Sequence, residues 1–152
     1  MAYVSTAGGP EAACVFCAAL ATGDDRRALI LKRGRLAFLI LNAFPYASGH
    51  LIAVITLHVG TIEAATTEEL AEAMALVQSA TRALDSAYHP DGFNVGLNQG
   101  QVAGAGVLGH LHMHLVPRWN GDTNFMPVTA DTRVLPEALE ATYDRLAVAF
   151  AP

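Results

Sequence analysis

Cysteine is scarce in this chain of 152 residues. The two present, Cys14 and Cys17, stand three positions apart. A pair that close cannot tie together distant parts of a fold, so a disulfide framework is excluded as the source of stability. Basic side chains are few as well. Nine Lys and Arg face 14 Asp and Glu for a net charge of −5, and the densest basic stretch is Lys32, Arg33 and Arg35. A duplex-binding protein presents a basic face, so no nucleic acid partner is expected, whereas a small anionic ligand needs just a few local donors. Apolar runs of bilayer length are missing too. Asn42, Pro45, His50 and His58 interrupt the longest candidates, so no membrane partner is expected. Met1 to Pro10 lacks the positive region of a secretion signal. The Cys-x-x-Cys pair then reads as metal ligands or a redox pair, and the expected location is cytoplasmic.

What is abundant is apolar surface. Hydrophobic residues make up 53% of the chain and charged residues 15%, far from the composition of disorder. The surplus points to an apolar face covered in a homodimer. The length suits one domain. Residues 1–13 are expected to be a flexible tail and residues 14–152 a single domain. Residues 14–22 read as a short helical turn bearing the cysteines. Ala28 to Leu31 is a short apolar run ending in a turn at Lys32-Arg33-Gly34. Leu36–Leu41 and His50–Leu57 read as an antiparallel strand pair joined by a loop rich in turn residues. Thr66 and Glu69 form a capping-box signature for a long helix, with Leu70, Met74, Val77, Thr81, Leu84 and Tyr88 at helical spacing. His89-Pro90-Asp91-Gly92 ends it. Phe93–Leu97 and His110–Val116 read as further strands, the latter ended by Pro117, and a last helix starts near Pro136. Hairpin-linked strands with helices grouped elsewhere predict an α+β domain built on an antiparallel sheet.

The most informative stretch is His110-Leu111-His112-Met113-His114, which holds three of the six histidines. On a strand the three imidazoles share one face, about 6.5–7 Å apart, while Leu111, Met113 and Leu115 face a core. One reading is catalytic. A neutral imidazole is a good nucleophile at pH 7, and phosphorus is a suitable target because phosphoryl transfer needs little beyond positioning and charge stabilisation. Another reading is a metal site, in which the same three histidines chelate zinc. A tag or chance cluster would lack the alternating apolar partners.

These residues resemble the histidine-triad family. The string His110-Leu-His-Met-His-Leu-Val-Pro-Arg118 carries the likeness, joined by Asn98-Gln-Gly100 upstream and by Asn42 and His50 eight residues apart on the hairpin. Val116 to Val128 is similar to the branch containing diadenosine tetraphosphate phosphorylases and hydrolases. The resemblance implies a five-stranded antiparallel sheet with two helices, extended across a homodimer, with the helix from Thr67 as the expected interface. It also implies an enzyme that cleaves a nucleoside phosphate bond. His112 would be the nucleophile, forming a covalent nucleotidyl-histidine and oriented by the carbonyl of His110. His114 would contact the α-phosphate, with His50 beside the row. Asn42 would bond the ribose and Asn98 the phosphate side. Ile40 and Ile52 would line the base pocket. Where relatives carry Gln-Ser, Gln-Thr or Gly-Ser, this chain has Ala105 and Gly106, which offer backbone amides alone. Trp119 would stack on a second base or pack at the dimer edge, and Arg118 would touch a phosphate or form a surface ion pair. Some family members bind a structural zinc through positions matched here by Cys14, Cys17, His58 and His110. No organic cofactor is expected. Hydrolysis, phosphorolysis, phosphoramidate cleavage and a zinc enzyme using the triad as ligands all stay open at this level.

Overall fold

The computed structural model describes residues 14–122 and 137–151. The expected tail at 1–13, the second half of the Val116–Val128 stretch and Pro136 lie outside the described residues. Five antiparallel strands form one sheet: β1 (Ile30–Arg33), β2 (Ala37–Leu41), β3 (Leu51–Ile55), β4 (Gly92–Gly96) and β5 (His112–Arg118), in the order β1-β2-β3-β5-β4. The helices are α1 (Val15–Ala21), α2 (Asp25–Ala28), α3 (Thr67–Tyr88) and α4 (Leu139–Ala147). The α+β class and the five-stranded antiparallel sheet therefore match expectation; α1 falls within the helical turn read at residues 14–22, and α2 is a short helix added ahead of β1.

β2 and β3 are buried at every position, because the sheet is covered on both sides. Side chains alternate across a strand, so each strand sends one set to each side. Ala37, Leu39, Leu41, Leu51, Ala53 and Leu115 pack with Ala73, Leu76, Val77, Ala80 and Leu84 of α3 and with Leu146 of α4. Phe38, Ile40, Ile52 and Val54 pack on the other side against Cys14 and Phe16. The apolar face of α3 is thus spent on its own sheet, and Met74 is the large apolar side chain that α3 leaves exposed.

The start of α3 forms as the sequence predicts. Thr66 N–H donates to Glu69 Oε2 at 2.7 Å, and Glu69 N–H donates to Thr66 Oγ1 at 3.2 Å. β2, β3 and β4 differ from the sequence reading by a residue or two at their ends, and three other boundaries differ in ways that shape the turns and the site. Lys32 and Arg33 belong to β1, and the turn follows at Gly34, where the carboxylate of Glu72 on α3 accepts from the amides of Leu36 and Ala37 at 2.8 and 3.2 Å. β5 runs through Pro117, which pairs in register with Phe93, and stops at Arg118. It also starts at His112, so His110 precedes the strand. There the ladder is irregular, with Leu111 N–H donating to Val59 O at 2.6 Å.

Candidate active site

The register of the sheet builds the site. Ile30, Ile40, Ile52 and His114 form one row across β1, β2, β3 and β5, and Phe38, Val54 and His112 form the next. All these side chains lie on the α1 side of the sheet. There a cavity of about 470 Å³ opens, within the usual range for small-molecule sites. Ile40, Ile52, Asn42, Gly106, His112 and His114 line it, as do Phe16 on α1 and Phe44 and Tyr46 on the β2–β3 loop. None of the described lining residues is Asp, Glu, Lys or Arg. A phosphate held here would meet imidazoles and main-chain amides.

The ring nitrogens can be assigned from their partners. A carbonyl oxygen can only accept, so His112 Nδ1–H donates to His110 O at 2.7 Å. Burial lowers the pKa of His112, the bond to the His110 carbonyl opposing it, and the neutral ring then keeps a bare lone pair on Nε2. Tyr46 N–H donates into His50 Nδ1 at 3.1 Å, which places the His50 proton on Nε2. That N–H faces His114 Nδ1 at 3.0 Å, so His114 in turn carries its proton on Nε2. Burial and the neighbouring His112 push His114 down to about 4. The rings of His112 and His114 are 5.0 Å apart. The cavity wall therefore carries a nucleophilic nitrogen beside a neutral N–H donor.

Other positions fall less simply. Asn42 Oδ1 accepts from Phe44 N–H at 3.0 Å, and its Nδ2 lies 3.3 and 3.4 Å from the two nitrogens of His50. Being nearly equidistant, it is aimed at neither ring nitrogen, and the directed donor to Nδ1 is Tyr46 N–H. Asn98, Ala105 and Trp119 are absent from the lining. Asn98 Nδ2 donates to Gly104 O at 3.4 Å, Ala105 N–H to Gly100 O at 3.3 Å, and Trp119 Nε1–H to Tyr88 O at 3.4 Å. Of the Ala105–Gly106 pair, Gly106 is the one at the cavity. Arg118 bonds Asp122 and Asn94. Phe16 and Tyr46 were not singled out from sequence. Phe16 lies between the two cysteines, which was a usable signal, whereas Tyr46 contributes a main-chain amide that no side-chain pattern reveals.

His110 sits apart from the pair. The residue is 1% exposed and its Nε2–H donates to Ile55 O at 2.6 Å, which makes Nδ1 the unprotonated nitrogen, turned to the cysteines. Cys14 Sγ lies 3.2 Å and Cys17 Sγ 3.6 Å from His110 Nδ1, and Cys17 Sγ lies 3.3 Å from His58 Nδ1. The four ligand atoms all fall within 4.8 Å of one another. A zinc tetrahedron with ordinary Zn–S and Zn–N bonds has S···N edges of about 3.6 Å, so the donor set fits that ion. The bond from His110 to Ile55 is the kind of outer contact that fixes a metal-binding tautomer. Gly109 leaves the space that His58 occupies, since a Cβ there would stand 3.2 Å from His58 Nε2. Among the described residues this cluster takes His110 alone from the triad.

The sequence profile of the HIT domain matches residues 26–121. AP-4-A phosphorylase of Mycobacterium tuberculosis is 42% identical over 128 residues, which are 84% of this chain and 66% of that protein, just under two thirds of its length. A zinc-bound histidine triad family protein from Mycobacterium smegmatis superposes with a TM-score of 0.74 at 25% identity, covering 93% of this chain and 95% of the other. The diadenosine triphosphate hydrolase of Plasmodium falciparum, at 16% identity and a TM-score of 0.65 over 83% of this chain and 75% of its own, shares the fold. On the profile match and on the likeness at 42% identity, this chain belongs to the HIT family.

Proposed function

We propose that the protein is a nucleotidyl hydrolase or transferase acting on a dinucleoside polyphosphate such as diadenosine tetraphosphate, through a covalent nucleotidyl-His112 intermediate. The observation that carries this reading is the bond from His112 Nδ1–H to His110 O, which leaves Nε2 as a lone pair at the cavity. Attack by Nε2 forms a P–N bond and breaks the bridging P–O bond. The leaving phosphate departs as an anion, so no proton is required. His114 Nε2–H stabilises charge on the phosphate oxygens. Water, losing its proton to solvent, or inorganic phosphate then attacks the same phosphorus and breaks the P–N bond. Ile40 and Ile52 form the apolar floor for the base, and Asn42 takes the ribose in this reading. The likeness to AP-4-A phosphorylase supports phosphate as the second acceptor.

Zinc would be held by Cys14, Cys17, His58 and His110, and would supply a structural cross-link. Neither cysteine is joined in a disulfide, which suits a reducing compartment, and we place the protein in the cytoplasm. No described helix is long and apolar enough to cross a membrane. We also propose a homodimer, with β4 at the sheet edge as the element that two copies would share.

The test is incubation with diadenosine tetraphosphate, with and without inorganic phosphate. ADP plus ATP formed only with phosphate identifies phosphorolysis, and AMP plus ATP without it identifies hydrolysis. Rapid quench into alkali, in which a histidine P–N bond survives, should trap one adenylyl group per chain by mass spectrometry. Turnover retained in His112→Ala would overturn the assignment.

A further inference from the structure

Helix α1 serves two neighbouring regions at once. Cys14 precedes it and Cys17 lies in its first turn, both within the four-residue cluster. Val15, Phe16 and Ala19 of the same helix line the cavity. Phe16, placed between the two thiols, is 6% exposed. Its ring meets His110 edge-on at 5.5 Å and His112 at 5.0 Å. One aromatic side chain thus touches a residue of the cluster and the proposed nucleophile. His110 repeats the connection: its Nδ1 faces the cysteines while its carbonyl accepts from His112.

The helix has little of its own to hold it. Seven residues are too few for a stable isolated helix, and no side chain caps its first turn. Its position over the sheet comes from the packing of Cys14, Phe16, Ala19 and Leu20 on Phe38, Ile40, Ile52 and Val54, from Arg33, whose guanidinium donates to Leu20 O at 3.3 Å, and from the cluster. His58 follows β3 and His110 precedes β5. An ion in the cluster would therefore bond α1 to the ends of two strands that frame the cavity.

We infer that zinc in the Cys14–Cys17–His58–His110 cluster sets the affinity of the adjoining cavity for a nucleoside monophosphate, with Phe16 as the positioning residue that carries the coupling to His112. This rests on the nucleotide reading above. The metal-free protein samples displacements of α1 in which the cavity wall is incomplete, and apparent affinity falls with the fraction of time the wall is in place.

Chelator-stripped protein and protein reloaded with one equivalent of Zn²⁺ are compared for adenosine 5′-monophosphate binding by calorimetry, and for amide exchange over residues 15–21 with α3 as the folded reference. If the wall is in place a tenth of the time without the ion, stripping weakens binding about tenfold, and exchange rises in α1 while α3 is unchanged. In Phe16→Ala, which keeps all four ligands, zinc still binds, nucleotide affinity is low, and the difference between the two forms disappears. Equal affinity in stripped and loaded wild-type protein overturns the coupling and leaves the nucleotide reading standing. A full zinc effect surviving in Phe16→Ala overturns the role of Phe16. No binding in either form sinks the nucleotide reading and the inference with it.

Discussion

Gly49 immediately precedes His50 and holds φ at +79°. A Cβ added there would come within 2.7 Å of Leu84 Cδ2, a fully buried side chain of α3. Gly49→Ala therefore carries two separable costs. The left-handed backbone costs a residue with a Cβ about 1–2 kcal/mol, and overpacking a filled site costs about 1–3 kcal/mol. The sum, about 2–5 kcal/mol, is a large part of the stability of a domain this size. Leu84→Val removes both Cδ atoms, and alone costs about 1 kcal/mol for the lost methylene plus a smaller share for the space left behind. In the double variant the clash has no partner while the backbone strain persists. Its destabilisation should fall short of the sum of the two singles by about 1–3 kcal/mol, the range expected for residues in contact. Urea denaturation of the four proteins, followed by far-UV circular dichroism, reads the cycle. Simple additivity, or a double variant worse than the sum, would refute the claim that Leu84 is what a side chain at position 49 meets.

Three further outcomes are expected. Burial and the bond to Glu137 raise Tyr88 to about 12, so its ultraviolet phenolate signal should appear there and not near 10; because the folded state holds this proton more tightly, that contribution to stability is whole below about pH 10 and is lost as pH climbs toward 12. His114, held down to about 4 by burial and by His112, should keep the NMR shifts of a neutral imidazole at pH 5; folded protein binds fewer protons than unfolded at this ring, so its share of stability is present above about 6.5 and declines as pH drops toward 4. Thr66→Ala removes one half of the capping box and leaves the buried Glu69 amide without its acceptor, which should cost about 1 kcal/mol and lower the melting temperature by a few degrees, with nucleotide binding unaffected.

Sheet class, the long helix and its cap were legible because each rests on local physics: alternation along strands, helical spacing from Leu70 to Tyr88, and a Thr–Glu pair three apart. The alternation also placed His112 and His114 on one face; that Ile40 and Ile52 share a row with His114 comes from the register of the sheet. What escaped depends on contacts distant in sequence. Lys32 and Arg33 read as a turn until β2 supplies a partner, and Pro117 read as a strand end although its pairing with Phe93 lets the strand continue. Alternation read His110 as one of three like neighbours, whereas the resemblance set it with Cys14, Cys17 and His58; in the structure it precedes β5 and turns to those cysteines. The resemblance gave Ala105 and Asn98 to the ligand and Trp119 to a second base or the dimer edge; their hydrogen bonds in the structure run to Gly100, Gly104 and Tyr88.

The order of protons on His50 and His114 begins at the main-chain N–H of Tyr46. A peptide amide does not ionise in water and cannot reverse its polarity, so this starting point is permanent. It is also indifferent to the side chain that accompanies it. Drift at position 46 can reshape the mouth of the cavity and leave the two imidazoles in the same tautomers. Proline, the residue without an N–H to give, is the replacement that would release them.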